Sequence, residues 1–159
     1  MMTSRLGVNE IIKRGLLAGA AGGLAEIAWV SLYAALTGGD AAILARGVTT
    51  AVGVTALLPA MPVTMGIVVH MALAVLLGIV LVGLWQALAR RDTISLYGFM
   101  LAALATVWAV NFFVILPVIS PAFALLIPYP VSLTSKLLFG LATAETLRRC
   151  AAQEARVAA

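Results

Sequence analysis

Glu26, His70, Asn111 and Lys136 are polar side chains set inside stretches that are otherwise apolar. Glu26 is the only charge between residues 15 and 38. A charge at the centre of a bilayer costs at least about 2.5–3.5 kcal/mol unless it is paired, hydrated or protonated. A carboxylate, an imidazole and an ammonium held together can relay a proton, line an ion path or hold a polar headgroup. The same groups can also be no more than an ion pair that fixes helix register. His70 is the single histidine, so two-histidine haem ligation within one chain is excluded, and no acid lies near it in sequence to build a triad.

The elements that must position these groups are apolar runs of membrane length. About 20 residues at 1.5 Å rise cross a hydrocarbon core of roughly 30 Å. Four such spans are expected, at about 15–37, 63–88, 95–116 and 131–147, one carrying each polar residue. Counted at 1.5 Å per residue from their outer ends, Lys136 and Asn111 lie about 9 Å deep, His70 about 12 Å and Glu26 about 15–18 Å. A lysine side chain is long enough to cover that difference. The four groups are therefore expected to converge in the outer half of the bundle.

Helical faces point the same way. Gly15, Gly19 and Gly23 repeat at spacing four and mark a face that another backbone can approach closely. Glu26 lies on that face. A second small-residue stripe, Gly98, Ala102, Ala105 and Ala109, is expected to pack the third span, with Asn111 opposite it. The fourth span places Ser132, Lys136, Gly140 and Thr143 on one face, which directs Lys136 inward. Glu145, three and four residues before Arg148 and Arg149, is expected to form structural pairs at a helix end.

Composition fits this picture. The chain has 159 residues, 64% of them hydrophobic and only 10% charged. Roughly 25% is charged in a soluble domain, so lipid must be the solvent for most of the surface. The basic residues stand at the ends of spans and form no patch among aromatics, which argues against a nucleic-acid partner. Cys150 is the only cysteine, so an intramolecular disulfide or a thiolate metal site within one chain is excluded.

Positive charge sets the expected orientation. Arg5, Lys13 and Arg14 precede the first span, Arg90 and Arg91 lie between the second and third, and Arg148, Arg149 and Arg156 follow the fourth. With four crossings all of these fall on the cytoplasmic side, together with both termini. The basic amino terminus resembles a signal-peptide n-region, but the apolar run after it exceeds an h-region of about 7–15 residues. It is read as an uncleaved span.

Residues 41–60 are apolar enough for a fifth span, but a fifth would move Arg90, Arg91 and the basic tail outside. Arg46, Thr49, Thr50 and Gly53 share one side of a helical wheel. The expectation is an amphipathic helix at the outer interface, or a re-entrant hairpin closed by Pro59 and Pro62. The second outer loop, 119–130, is apolar and carries Pro121, Pro128 and Pro130, with Tyr129 placed as an interfacial anchor. The predicted fold is all-α: four transmembrane helices plus this outer helix, in one integral membrane domain over residues 1–159.

Other motifs carry little. Gly19, Gly22 and Gly23 follow an apolar run but lack the spacing of a dinucleotide fingerprint. Met61 and Met65 do not share a face with His70, so a Cu(I) site is not supported. No cofactor or metal is predicted.

The stretch Asn111-Phe-Phe-Val-Ile-Leu-Pro117, continuing through Ser120-Pro-Ala-Phe123 to Pro128-Tyr-Pro-Val-Ser-Leu-Thr-Ser-Lys-Leu-Leu-Phe-Gly140, resembles the carboxy-terminal half of small bacterial integral membrane proteins with no assigned activity. The resemblance covers about a fifth of the chain. It implies a bacterial inner-membrane location and nothing on mechanism.

Two functions are expected. The first is a non-enzymatic accessory protein or subunit of a membrane complex, favoured by short loops, glycine-rich faces and the lack of catalytic groups. The alternative is a small homo-oligomeric transporter or channel that couples protons or ions through Glu26, His70 and Lys136. A quinone- or haem-binding anchor or membrane enzyme ranks last. The expected partners are the lipid bilayer and either another membrane complex or a second copy of the chain.

Overall fold

The structure is a computed structural model that describes residues 6–53, 60–88 and 95–157. Arg5, Arg90, Arg91 and residues 54–59, Pro59 among them, lie outside the described residues. Among the described residues every regular element is helical. Three helices are long and apolar enough to cross a membrane: Val8–Thr37, Pro62–Leu88 and Leu96–Ile119. The sequence counts a fourth at 131–147. The helix found there is not in that group, because Lys136 and Glu145 dilute its apolar stretch and Arg148 and Arg149 follow directly.

Helix α1 (Val8–Thr37) begins seven residues before the expected span, with Glu10 in its first turn, where a carboxylate complements the helix dipole. It stops at Gly38, whose φ of 68° is left-handed, and the Gly39 N–H donates to the Ala34 carbonyl at 2.8 Å. A side chain at Gly38 would disfavour this ending.

Helix α3 (Pro62–Leu88) runs antiparallel to α1 with almost no side chain between them. A Cβ built at Gly15 would lie 2.5 Å from the Ile79 Cα, and one at Gly19 would lie 2.7 Å from the Val75 Cα. One at Gly23 would meet the Met71 sulfur at 3.0 Å. The approach is reciprocal, since a Cβ at Gly78 would lie 2.5 Å from the Gly19 backbone. In lipid no hydrophobic effect drives helices together, and contact at this range supplies the van der Waals attraction instead.

Helix α2 (Ala42–Ala51) has ten residues, about 15 Å at 1.5 Å per residue, too short to cross a bilayer. Asp40 heads it, accepting from the Ala42 N–H at 2.8 Å and from Arg46 at 2.7 Å. These two contacts hold the Asp40 carboxyl below its ordinary range. The polar side expected for this helix is split. Arg46 and Thr50 are exposed, whereas Thr49 is buried and donates to the Pro62 carbonyl at 2.7 Å. Gly66 of α3 allows this docking, because a Cβ there would lie 1.9 Å from the Ala45 carbonyl oxygen.

Helix α4 (Leu96–Val110) starts at Ser95, whose hydroxyl caps the Gly98 N–H at 3.0 Å. It passes into one π-helical turn, Asn111–Ile115, and then into α5 (Leu116–Ile119). Pro117 explains the widening. In a regular α-helix its ring would clash with the Phe113 carbonyl, and it offers no N–H to it. The π turn moves that clash aside. Ser120 breaks the chain direction, and α6 (Pro121–Ala124) packs against α2, where Gly47 faces the Phe123 ring.

Helix α7 (Tyr129–Val157) continues ten residues past the expected span as an exposed helix. It packs against both α1 and α4. Toward α1, Trp29 donates to the Val131 carbonyl at 3.0 Å, Thr143 to the Ala18 carbonyl at 3.3 Å, and Arg14 pairs with Glu154. Phe139 fills the space that a Gly22 side chain would occupy. Toward α4, Trp108 donates to Ser132 at 3.0 Å and Tyr97 to Glu145 at 2.7 Å. Glu145 also accepts from Arg148 and Arg149, both at 2.7 Å.

One expectation about packing is corrected. Gly98 and Ala102 are exposed, and a Cβ at Gly98 would meet only the capping Ser95 hydroxyl. The buried face of α4 is Met100 and Leu104 instead. The small residue at this contact comes from the partner helix: a Cβ at Gly140 of α7 would lie 3.2 Å from the Met100 carbonyl. One glycine on α7 is enough, so α4 can keep large side chains there.

Helices α3 and α4 make far less contact with each other than α1 does with its two neighbours. They meet at Trp85 and Phe99, whose rings are 5.5 Å apart, close to the end of the bundle that holds Val8 and Val157. Toward the opposite end a cavity lies between α3 and the π turn and α5 that continue α4.

Candidate functional site

The cavity has a volume of about 500 Å³. Its walls come from α1, α2, α3, the π turn, α5, α6 and α7, and they are mainly aliphatic and aromatic. Val30, Val48, Ile67, Leu73, Phe112 and Phe123 are among them. Glu26, Ser31, His70, Asn111, Ser132, Ser135 and Lys136 supply the polar lining among the described residues.

Glu26 is the most buried of the charged groups, with its side chain 5% exposed. Lys136 Nζ lies 2.7 Å from its Oε1, and the Ser135 hydroxyl donates to the same oxygen at 3.3 Å. The second oxygen, Oε2, is buried without a hydrogen-bond partner among the described residues. His70 Nε2 lies 3.7 Å from Oε2 and 3.4 Å from the Gly23 carbonyl. Both neighbours are acceptors, so Nε2 must carry a proton for these contacts to attract.

The local sequence explains each position. Glu26 follows Gly22 and Gly23, which bring α1 against Phe139 and Met71 and leave the carboxylate in the groove between α3 and α7. Lys136 shares a helical turn with Ser132 and Ser135, both less than a tenth exposed. Its ammonium also stands 5.8 Å from the Phe139 ring centroid. Asn111 opens the π turn and lines the cavity across from His70. The structure thus brings Glu26, His70 and Lys136 within contact range and sets Asn111 on the same cavity.

Sequence reasoning did not single out Ser135 as a partner of Glu26. Its signal was available, because Ser132 and Ser135 are three residues apart beside Lys136 in an apolar run. Gly66 and Gly78, the α3 glycines that let α2 and α1 approach closely, were not singled out either. The π turn carried one signal, Pro117 within an otherwise continuous apolar span.

No protein-family model, curated protein or solved structure matches the chain. What the arrangement can do rests on its own chemistry. A mainly apolar cavity of this size, with a few convergent polar groups, has the character of a small-molecule site.

Proposed function

We propose that this chain is a non-enzymatic accessory protein of the bacterial inner membrane that holds an amphipathic molecule in a cavity within the bundle. The carrying observation is the cavity of about 500 Å³, apolar in its walls and polar where Glu26, His70 and Lys136 meet. In this reading α7 is the fourth membrane-crossing helix. Its charged group is paired across the bundle, which lowers the cost of placing it in hydrocarbon. Both ends of the chain, with Lys13, Arg14, Arg148 and Arg149, face the cytoplasm. Helices α2 and α6 then cover the cavity at the outer interface.

The test is ligand retention. The protein is purified in a mild non-ionic detergent and its bound small molecules are identified by native mass spectrometry. A reproducible apolar adduct that is lost in Val48→Trp, which fills the cavity from α2, supports the proposal. Adducts that survive Val48→Trp, or none at all in the parent protein, would count against it.

A second reading has one specific support. The unpartnered Glu26 Oε2 beside His70 Nε2 is an arrangement through which a proton could pass. Proton- or ion-coupled transport would show as flux in liposomes that Glu26→Gln abolishes without loss of folded protein.

A further inference from the structure

We infer that the cavity selects an uncharged amphipath, one whose polar group is a hydroxyl or carbonyl oxygen, over a lipid with a charged headgroup. This rests on the reading of the cavity as a ligand site and adds its chemical class.

The argument is one of charge and open valence. Lys136 and Glu26 neutralise each other at 2.7 Å, and no other lining residue among those described is a carboxylate, lysine or arginine. An anionic headgroup would either put a second negative charge beside a carboxylate that is 5% exposed or draw Lys136 away and strand it. Leaving one partner of a buried pair uncompensated is strongly unfavourable. A cationic headgroup fares no better, since Oε1 is already taken by Lys136 and Ser135 and Oε2 has no exposed surface for it to reach.

What stays open is hydrogen bonding. An ammonium has three donors, and among the described residues its one acceptor is Glu26. Lys136 is 20% exposed along its side chain and lines the cavity. Asn111 adds an amide to the same lining. A neutral oxygen can accept from Lys136 while the ion pair stays intact. The apolar remainder of the ligand then lies against Ile67, Leu73 and Phe112.

The experiment compares three molecules with one chain and different headgroups: hexadecanol, hexadecyl sulfate and hexadecyltrimethylammonium. They compete for the whole purified protein in non-ionic detergent, with retention read by native mass spectrometry. Hexadecanol should be retained over both charged compounds by about tenfold or more, a gap of roughly 1.4 kcal/mol. Glu26→Gln unpairs Lys136 and should turn the preference to hexadecyl sulfate. If the parent protein prefers either charged compound, the inference on ligand class is wrong and the ligand-site reading stands. If none of the three is retained, the ligand-site reading itself fails. The parent protein alone decides between these results should Glu26→Gln not fold.

Discussion

Lys136 Nζ lies 2.7 Å from Glu26 Oε1, and this contact ties the first long helix to the last across the deepest part of the bundle. The two groups differ in how well they tolerate separation. Glu26 is 5% exposed and cannot leave, whereas Lys136 is 20% exposed and has a flexible stem. Lys136→Met should therefore destabilise more than Glu26→Gln, by about 3–5 kcal/mol for a stranded buried charge. Combining the two should recover part of the loss. Thermal unfolding of the four proteins in detergent gives the coupling, expected at roughly 1–3 kcal/mol for groups in contact. Additive losses would mean that the pair does not hold the helices.

The α1–α3 seam predicts a sharp contrast between two glycines of the same helix. Gly78 touches the Gly19 backbone, while a Cβ at Gly83 meets nothing within 4 Å. Gly78→Ala should cost about 1–3 kcal/mol, as overpacking does. Gly83→Ala should be neutral, or stabilising by about 0.5–1 kcal/mol through helix propensity. Equal behaviour of the two in a thermal scan would argue against a backbone seam.

Asp40 predicts a pH dependence at the head of α2. Its carboxyl is held below the ordinary value of 3.8 by the Ala42 amide first and by Arg46 second. A depressed folded pKa means that the contribution is whole above the unfolded value and is lost as pH falls through the folded one. The first turn of α2 should thus be unchanged from neutral pH down to about the 3.8 of a free carboxyl and loosen only in stronger acid. A spin label at an introduced Ala42→Cys, in a Cys150→Ser background, reports this as mobility. The response should disappear in Asp40→Asn.

Cys150 offers a test of orientation that needs no engineering, being the only cysteine and half-buried near the end of α7. A membrane-impermeant maleimide should label it in inside-out vesicles and not in intact spheroplasts. An introduced Asp40→Cys, in the Cys150→Ser background, should show the opposite pattern. Labelling of both from one side would remove the four-crossing topology.

Much of this fold is legible in residue types. Apolar runs marked α1, α3 and the α4–α5 helix, and simple depth counting brought Glu26 within reach of the Lys136 side chain. The faces were harder. Gly98 and Ala102 look like a packing stripe, yet spacing cannot say which of two partner helices supplies the small residue, and here Gly140 does so. The π turn at Asn111 was not legible because a helical wheel assumes one angular step per residue throughout. Past Asn111 that assumption fails, since the Leu116 N–H bonds back to the Asn111 carbonyl. The polar side of α2 misled for another reason. A buried threonine hydroxyl can be satisfied by a backbone carbonyl from elsewhere in the chain, as Thr49 is by Pro62.

The Glu26 pair also has a consequence for how the chain is made. Ser135, the nearer in sequence of the two groups that bond Glu26 Oε1, lies 109 positions further along. At a synthesis rate of about 5–20 residues per second, the carboxyl emerges roughly 5–20 s before either partner exists. During that interval α1 carries an acid whose Oε1 has neither of its partners, whether it already resides in the membrane or waits beside the insertion machinery until α7 arrives. Nascent chains truncated before Tyr129 should therefore be cleared quickly by membrane proteases, and Glu26→Gln should prolong their lifetime. The last helix thus acts as a completion signal for the first.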